Sequence, residues 1–147
     1  MKKIIIGNWK LNLDHLEAIQ LLQKLNYTIE EGKEEKIDIV VSPSHTSLRS
    51  IQTIIDTDKL NIQLSAQDVS QFSGGAYTGE VSSHQLNKLN VNYCIVGHSE
   101  RRQYFAETNN NVNIKSSNLI EENIIPVICI GETLEQKDKN LTEEILS

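Results

Sequence analysis

Apolar runs that do not alternate with polar residues recur along this 147-residue chain, at Ile4 to Ile6, Ile37 to Val41, Cys94 to Val96 and Ile125 to Ile130, with a weaker one at Ile62 to Ala66. An unalternated run bounded by turn signals predicts a strand buried on both faces, the kind found in parallel sheets. Between these runs the apolar residues fall at helical spacing: Leu16, Ile19, Leu22 and Leu25; Leu48, Ile51, Ile54 and Ile55; Leu86 and Leu89; then Val112 to Ile120. A further helix start is expected near Thr142. Asp14 precedes Glu17 by three residues, a capping-box pattern, and Glu30 and Glu31 run into Gly32, a predicted helix stop. Repeated strand-then-helix units joined by short connections specify an α/β fold with a parallel sheet. Pattern alone leaves open sheet and barrel as alternatives.

Composition narrows the function classes. Hydrophobic residues make up 38% and charged residues 23% of the sequence, as in an ordinary globular protein. One domain over residues 1–147 is expected. The formal net charge is −6 and the basic residues form no stripe, so a nucleic-acid footprint is missing. No apolar run approaches the roughly 20 residues needed to span a bilayer, and a cytoplasmic address is the default. Cys94 and Cys129 each lie in an apolar run without metal-ligand spacing, which reads as core filling rather than a disulfide or metal site.

Four stretches follow predicted strand ends, the side of a parallel α/β fold on which sites are built. They are GNWKLN at Gly7 to Asn12, AQDVSQFSGGAYTGEVS at Ala66 to Ser82, YCIVGHSERRQYFAET at Tyr93 to Thr108 and VICIGETLEQ at Val127 to Gln136. Strand alternation would turn Asn8 and Lys10 to one side and Trp9 to the other. The longest loop candidate runs from Gln67 to Gly79, and loops of that length in compact α/β chains are usually functional. Leaving Phe72 and Tyr77 exposed there would be costly, which points to an interaction role.

In this order and at these separations the four stretches closely resemble the triose-phosphate isomerase family, from Lys3 to at least Gln136. The resemblance implies the eight-stranded (β/α) barrel, of which this chain would supply roughly the first five strands. It implies interconversion of dihydroxyacetone phosphate and glyceraldehyde 3-phosphate through an enediolate in glycolysis and gluconeogenesis, without metal or organic cofactor. His98 would be the neutral electrophile, held uncharged by amide donors of the helical turn it precedes; this family is the standard illustration of that arrangement. Lys10 would neutralise the substrate phosphate and Asn8 hydrogen-bond near the reacting oxygens. Glu100 would orient Lys10, Ser99 would cap the turn after His98, and Arg101 and Arg102 would hold ion pairs.

The loop from Gln67 to Gly79 resembles the family's dimer loop, so a homodimer is expected, with Thr78 supporting the neighbour's site. The glutamate base, the hinged lid and the glycine-rich phosphate nest of the family have no counterpart before Ser147, and none of Glu107, Glu132 or Glu135 sits in a context resembling that base. Losing a positioned base costs on the order of 10²- to 10⁴-fold in rate, so negligible activity is expected of the isolated chain. An opened barrel would also leave its first and fifth strands as bare edges. The alternative reading is a non-catalytic half-barrel, an interaction module stabilised by self-association.

Overall fold

The computed structural model describes residues 3–29 and 37–146. Five strands form one sheet: β1 (Lys3–Asn8), β2 (Ile37–Ser42), β3 (Gln63–Ala66), β4 (Tyr93–Val96) and β5 (Ile125–Ile128). Their order in the sheet is their order in the sequence, and every neighbouring pair is parallel. A doubly wound sheet reverses its strand order at a switch point, whereas a (β/α) barrel lays each strand beside the last. The chain is therefore an α/β half-barrel, and the alternative that pattern left open is closed.

The helices are α1 (His15–Thr28), α2 (Leu48–Thr57), α3 (Ser83–Asn87), α4 (Ser99–Tyr104), α5 (Asn109–Glu121), α6 (Leu134–Asp138) and α7 (Thr142–Leu146). The capping box foreseen for α1 is present: Asp14 Oδ1 accepts the amides of Leu16 and Glu17, and Glu17 accepts the amide of Asp14. Those amides hold the Asp14 carboxyl below the usual aspartate range. The same box starts α3 at Ser82, α5 at Thr108 and α6 at Thr133. Glu30, Glu31 and Gly32, where a stop for α1 is expected, lie outside the described residues.

The core sits between the outer face of the sheet and the helices. Ala18 and Leu22 of α1, Leu48 and Ile51 of α2, Leu86 of α3 and Val112 and Leu119 of α5 pack with Val41, Leu64, Ala66, Cys94 and Val96. Buried side chains occur only on the three central strands, nearly throughout β3 and β4 and over the second half of β2. At the rims of the half-barrel Ile4 and Ile5 are about half exposed, at 47% and 58%, as are Ile125 and Ile128, at 53% and 51%. This corrects the expectation that every apolar run is buried on both faces: β1 and β5 each have a sheet neighbour on one side only among the described residues. Cys129 and Ile130, read as part of the last strand, lie beyond its end.

Candidate active site

Lys10 does not reach the site by strand alternation. Strand β1 ends at Asn8, and Lys10 lies in a turn with φ of 54°, a left-handed conformation uncommon for a residue with a Cβ. Neighbours hold it there: the Lys10 amide donates to Asn8 Oδ1 at 2.9 Å, and Gln67 Nε2 donates to the Lys10 carbonyl at 2.9 Å. The same Gln67 nitrogen donates to the Ser42 carbonyl, so the end of β3 carries a brace that ties the β1 and β2 ends together. A strained backbone persists only where its surroundings over-determine it, as they do here.

From that turn the Lys10 ammonium reaches Glu100 Oε1 at 2.6 Å. The hydrogen bond from Lys10, then its charge, hold the Glu100 carboxyl below the usual glutamate range. Glu100 also fixes the histidine. Its backbone amide donates to His98 Nδ1 at 3.2 Å, so His98 is itself the cap of α4. Ser99 is exposed in the first turn of that helix and does not cap it, which corrects the expected role. An Nδ1 that accepts an amide proton has no hydrogen of its own, and the Nε2–H tautomer follows from this hydrogen-bond network. The Glu100 Oε2 atom is 3.4 Å from the same Nδ1, two acceptors facing each other without a proton between them.

Asn8, Lys10 and His98 line one cleft of about 580 Å³, shared with Leu11, His45, Gln67, Glu100, Arg101, Tyr104 and Phe105. A cleft of this volume can take a small molecule. Leu11, Tyr104 and Phe105 at its mouth are strongly exposed. Thr78 is not among the lining residues; it lies in the exposed stretch of the loop, beside the stacked rings of Phe72 and Tyr77, whose centroids are 3.6 Å apart. His45 bonds the Asp68 carbonyl through Nε2 at 2.9 Å and also faces the cleft. Among the described residues no group of three His, Cys, Asp or Glu is placed to share a metal ion.

Asp68 and Arg101 on the cleft wall belong to an ionic cluster, with Lys115 and Glu107 behind them, that sequence reasoning did not assemble. Lys115, only 6% exposed, donates to Asp68 Oδ1 at 2.7 Å and to Glu107 Oε1. Arg101 approaches Asp68 Oδ2 at 2.9 Å, an ion pair without hydrogen-bond alignment, and its guanidinium lies over the Phe105 ring at 4.9 Å. Burial pushes the Asp68 carboxyl up, and Lys115 and Arg101 pull back only part of that shift. Burial pushes Glu107 up too, but Lys115, Arg101 and the Gly97 amide together leave it below the usual range. The sequence signalled only the ion pair of Arg101; Arg102 instead bonds neutral oxygens, and the other charges of the cluster sit at spacings that look solvent-facing.

The model of the triosephosphate isomerase family matches residues 3–147. The chain belongs to that family. It is 48% identical over 137 residues to the triosephosphate isomerase of Corynebacterium efficiens, covering 93% of this chain and 52% of that protein. Against the triosephosphate isomerase of Saccharopolyspora erythraea the identity is 48% over 135 residues, covering 92% and 52%. The enzyme of Streptomyces avermitilis gives the same figures, 48% over 135 residues with 92% and 52% covered. The chain thus spans about half the length of the triosephosphate isomerases it matches, in keeping with the five strands of the half-barrel.

Proposed function

We propose that this chain contributes the phosphate-neutralising and electrophilic part of a triose-phosphate isomerase site, interconverting dihydroxyacetone phosphate and D-glyceraldehyde 3-phosphate in the cytoplasm. The observation that carries this reading is the meeting of Asn8, Lys10 and His98 on one cleft in a member of the family. When an α proton leaves the substrate, negative charge builds on the carbonyl oxygen. A fixed Nε2–H on His98 donates to that oxygen and stabilises the enediolate without becoming a strong acid itself. Lys10 places its ammonium for the phosphate while Glu100 holds it, and Asn8, with Oδ1 committed to the Lys10 amide, offers its Nδ2 donors to the substrate oxygens.

Neither carboxylate lining the cleft is free to act as the base. Glu100 is paired with Lys10, and Asp68 with Lys115 and Arg101. The residues here supply binding and electrophilic assistance, and proton abstraction needs a base from outside them, so the 147-residue chain by itself should turn over triose phosphates negligibly. A homodimer belongs to the same reading. The loop from Gln67 to Gly79 presents a stacked aromatic pair, and the apolar rim of Leu11, Tyr104 and Phe105 offers a partner copy's loop a place to bury it. Thr78 would then act on the neighbour's Asn8 and Lys10.

The test is an isomerase assay of the intact protein with both triose phosphates, beside Lys10→Met and His98→Gln variants. Turnover that drops at least a hundred-fold in each variant is expected; an intact protein that folds, dimerises and leaves both substrates unchanged rules the reading out.

A further inference from the structure

Gly97, the residue before His98, is gripped on both of its peptide bonds by charged side chains that touch nothing in the cleft's chemistry. Its amide donates to Glu107 Oε2 at 3.0 Å, which fixes the peptide joining Val96 to Gly97. Its carbonyl accepts from Arg102 Nε at 2.8 Å, which fixes the next peptide, the one that carries His98. Between these two planes Gly97 turns with φ of +70°, the bend that lifts the chain out of β4 and into α4.

Both grips are themselves held. The other oxygen of Glu107 receives Lys115, with Arg101 Nε at 3.5 Å, so the carboxylate is not free to rotate away. Two further donors of Arg102 reach Asn109 Oδ1 at 2.7 Å and the Cys129 carbonyl at 3.4 Å, anchoring it to the start of α5 and to the residue that follows β5. A charge-assisted hydrogen bond is roughly twice as strong as a neutral one, and two on consecutive peptides fix the direction of the residue that follows.

We propose that Glu107 and Arg102 are positioning residues for His98, clamping the Gly97 turn so that the imidazole meets the Glu100 amide in one tautomer. The value of this to the rate rests on the isomerase reading; the clamp itself does not. A group that must sit within a fraction of an ångström of a reacting oxygen loses rate steeply when its backbone wanders. The cluster of Asp68, Glu107 and Lys115 is then the foundation of the electrophile; Asp68 reaches the cleft, while Glu107 and Lys115 lie behind it and act through the backbone.

The test uses ¹⁵N imidazole shifts of His98 in the intact protein. These distinguish Nδ1–H, Nε2–H and exchanging mixtures whether or not the protein isomerises anything. Glu107→Gln and Glu107→Ala both lose the charge that faces Lys115, but only Gln keeps an oxygen for the Gly97 amide. Expected is a single Nε2–H signature in the wild type and in Glu107→Gln, with a mixture of tautomers and faster exchange of the Glu100 amide in Glu107→Ala. Arg102→Met, which keeps the stem and loses the donors, should show the same mixture and stands in if Glu107→Ala does not fold. Identical signatures in Glu107→Gln and Glu107→Ala would mean the carboxylate matters only as an ion-pair partner, and a wild-type signature in Arg102→Met would overturn the clamp. Absence of isomerase activity in a wild type that keeps the single tautomer would count against the proposed function alone.

Discussion

Lys10 Nζ and Glu100 Oε1 lie 2.6 Å apart across 90 positions of sequence, joining the turn after β1 to the first turn of α4. Two half-exposed side chains in such contact contribute little to stability. Their use is geometric: one carboxylate fixes the ammonium through its side chain and the imidazole through its amide. Glu100→Gln should therefore leave the melting temperature nearly unchanged while lowering kcat/KM for triose phosphate by about ten- to a hundred-fold in the intact protein. Steady-state kinetics beside calorimetry check this. Because Lys10 depresses the Glu100 carboxyl, the pair persists above the ordinary glutamate value of 4.5 and is lost only as the pH falls below it.

The buried cluster carries the opposite balance of roles. Lys115 faces two carboxylates with almost no access to water, and removing one partner of a buried pair costs on the order of 3–5 kcal/mol. Lys115→Met should lose about that much by urea denaturation at pH 7. The pH dependence should also change. In the wild type Glu107 is depressed, so its contribution is full above its ordinary 4.5 and is lost as the pH falls through the lowered value. Asp68 is raised and opposes this near its ordinary 3.8. Without Lys115 the largest opposing contribution is gone and only Arg101 and the Gly97 amide remain against burial, so on acidification from pH 7 the variant should lose less stability than the wild type, or gain some.

How much of this was legible in the sequence depends on whether a feature is local. The helices α1, α2 and α5 show in periodicity and the five strands as unbroken apolar runs, because both are written in neighbouring residues. The exposure of β1 and β5 does not show, since Ile4 and Ile125 read the same whether or not another strand covers them. The turn at Lys10 is invisible because nothing marks a lysine for left-handed φ; the brace from Gln67 comes from 57 positions away. Ser99 looked like the cap of α4 because serine favours that position, yet the histidine one residue earlier accepts the amide instead. The ionic cluster stayed hidden because charges are rarely buried, and Lys115 meets Asp68 across 47 positions.

The bare rims of the sheet make a prediction about solution behaviour. Ile4 and Ile5 on β1, with Ile125 and Ile128 on β5, line edges whose backbone groups have no strand partner among the described residues. Such edges invite pairing with another chain. The 147-residue chain produced alone should therefore self-associate with rising concentration in sedimentation velocity, and Ile5→Lys with Ile128→Lys should shift it towards monomer. A chain that stays monomeric at high concentration without those changes would show that the rims are protected by some other means.

The turn at Gly97 gives the sharpest single-residue prediction. Its φ of +70° disfavours any residue with a Cβ, and a Cβ placed there would come within 2.8 Å of Arg102 Nη2, 3.0 Å of Val112 Cγ2 and 3.2 Å of the Cys129 carbonyl. The flexible arginine can retreat, but doing so breaks its bond to the Gly97 carbonyl. Val112 is buried in the core and the Cys129 carbonyl is backbone, so neither yields cheaply. Backbone strain alone costs on the order of 1–3 kcal/mol, before these contacts are counted. Gly97→Ala should thus lower stability in urea by at least about that amount and disturb the His98 imidazole signature as Arg102→Met does. A fully stable Gly97→Ala protein with an unaltered imidazole would mean the chain has another route from β4 into α4.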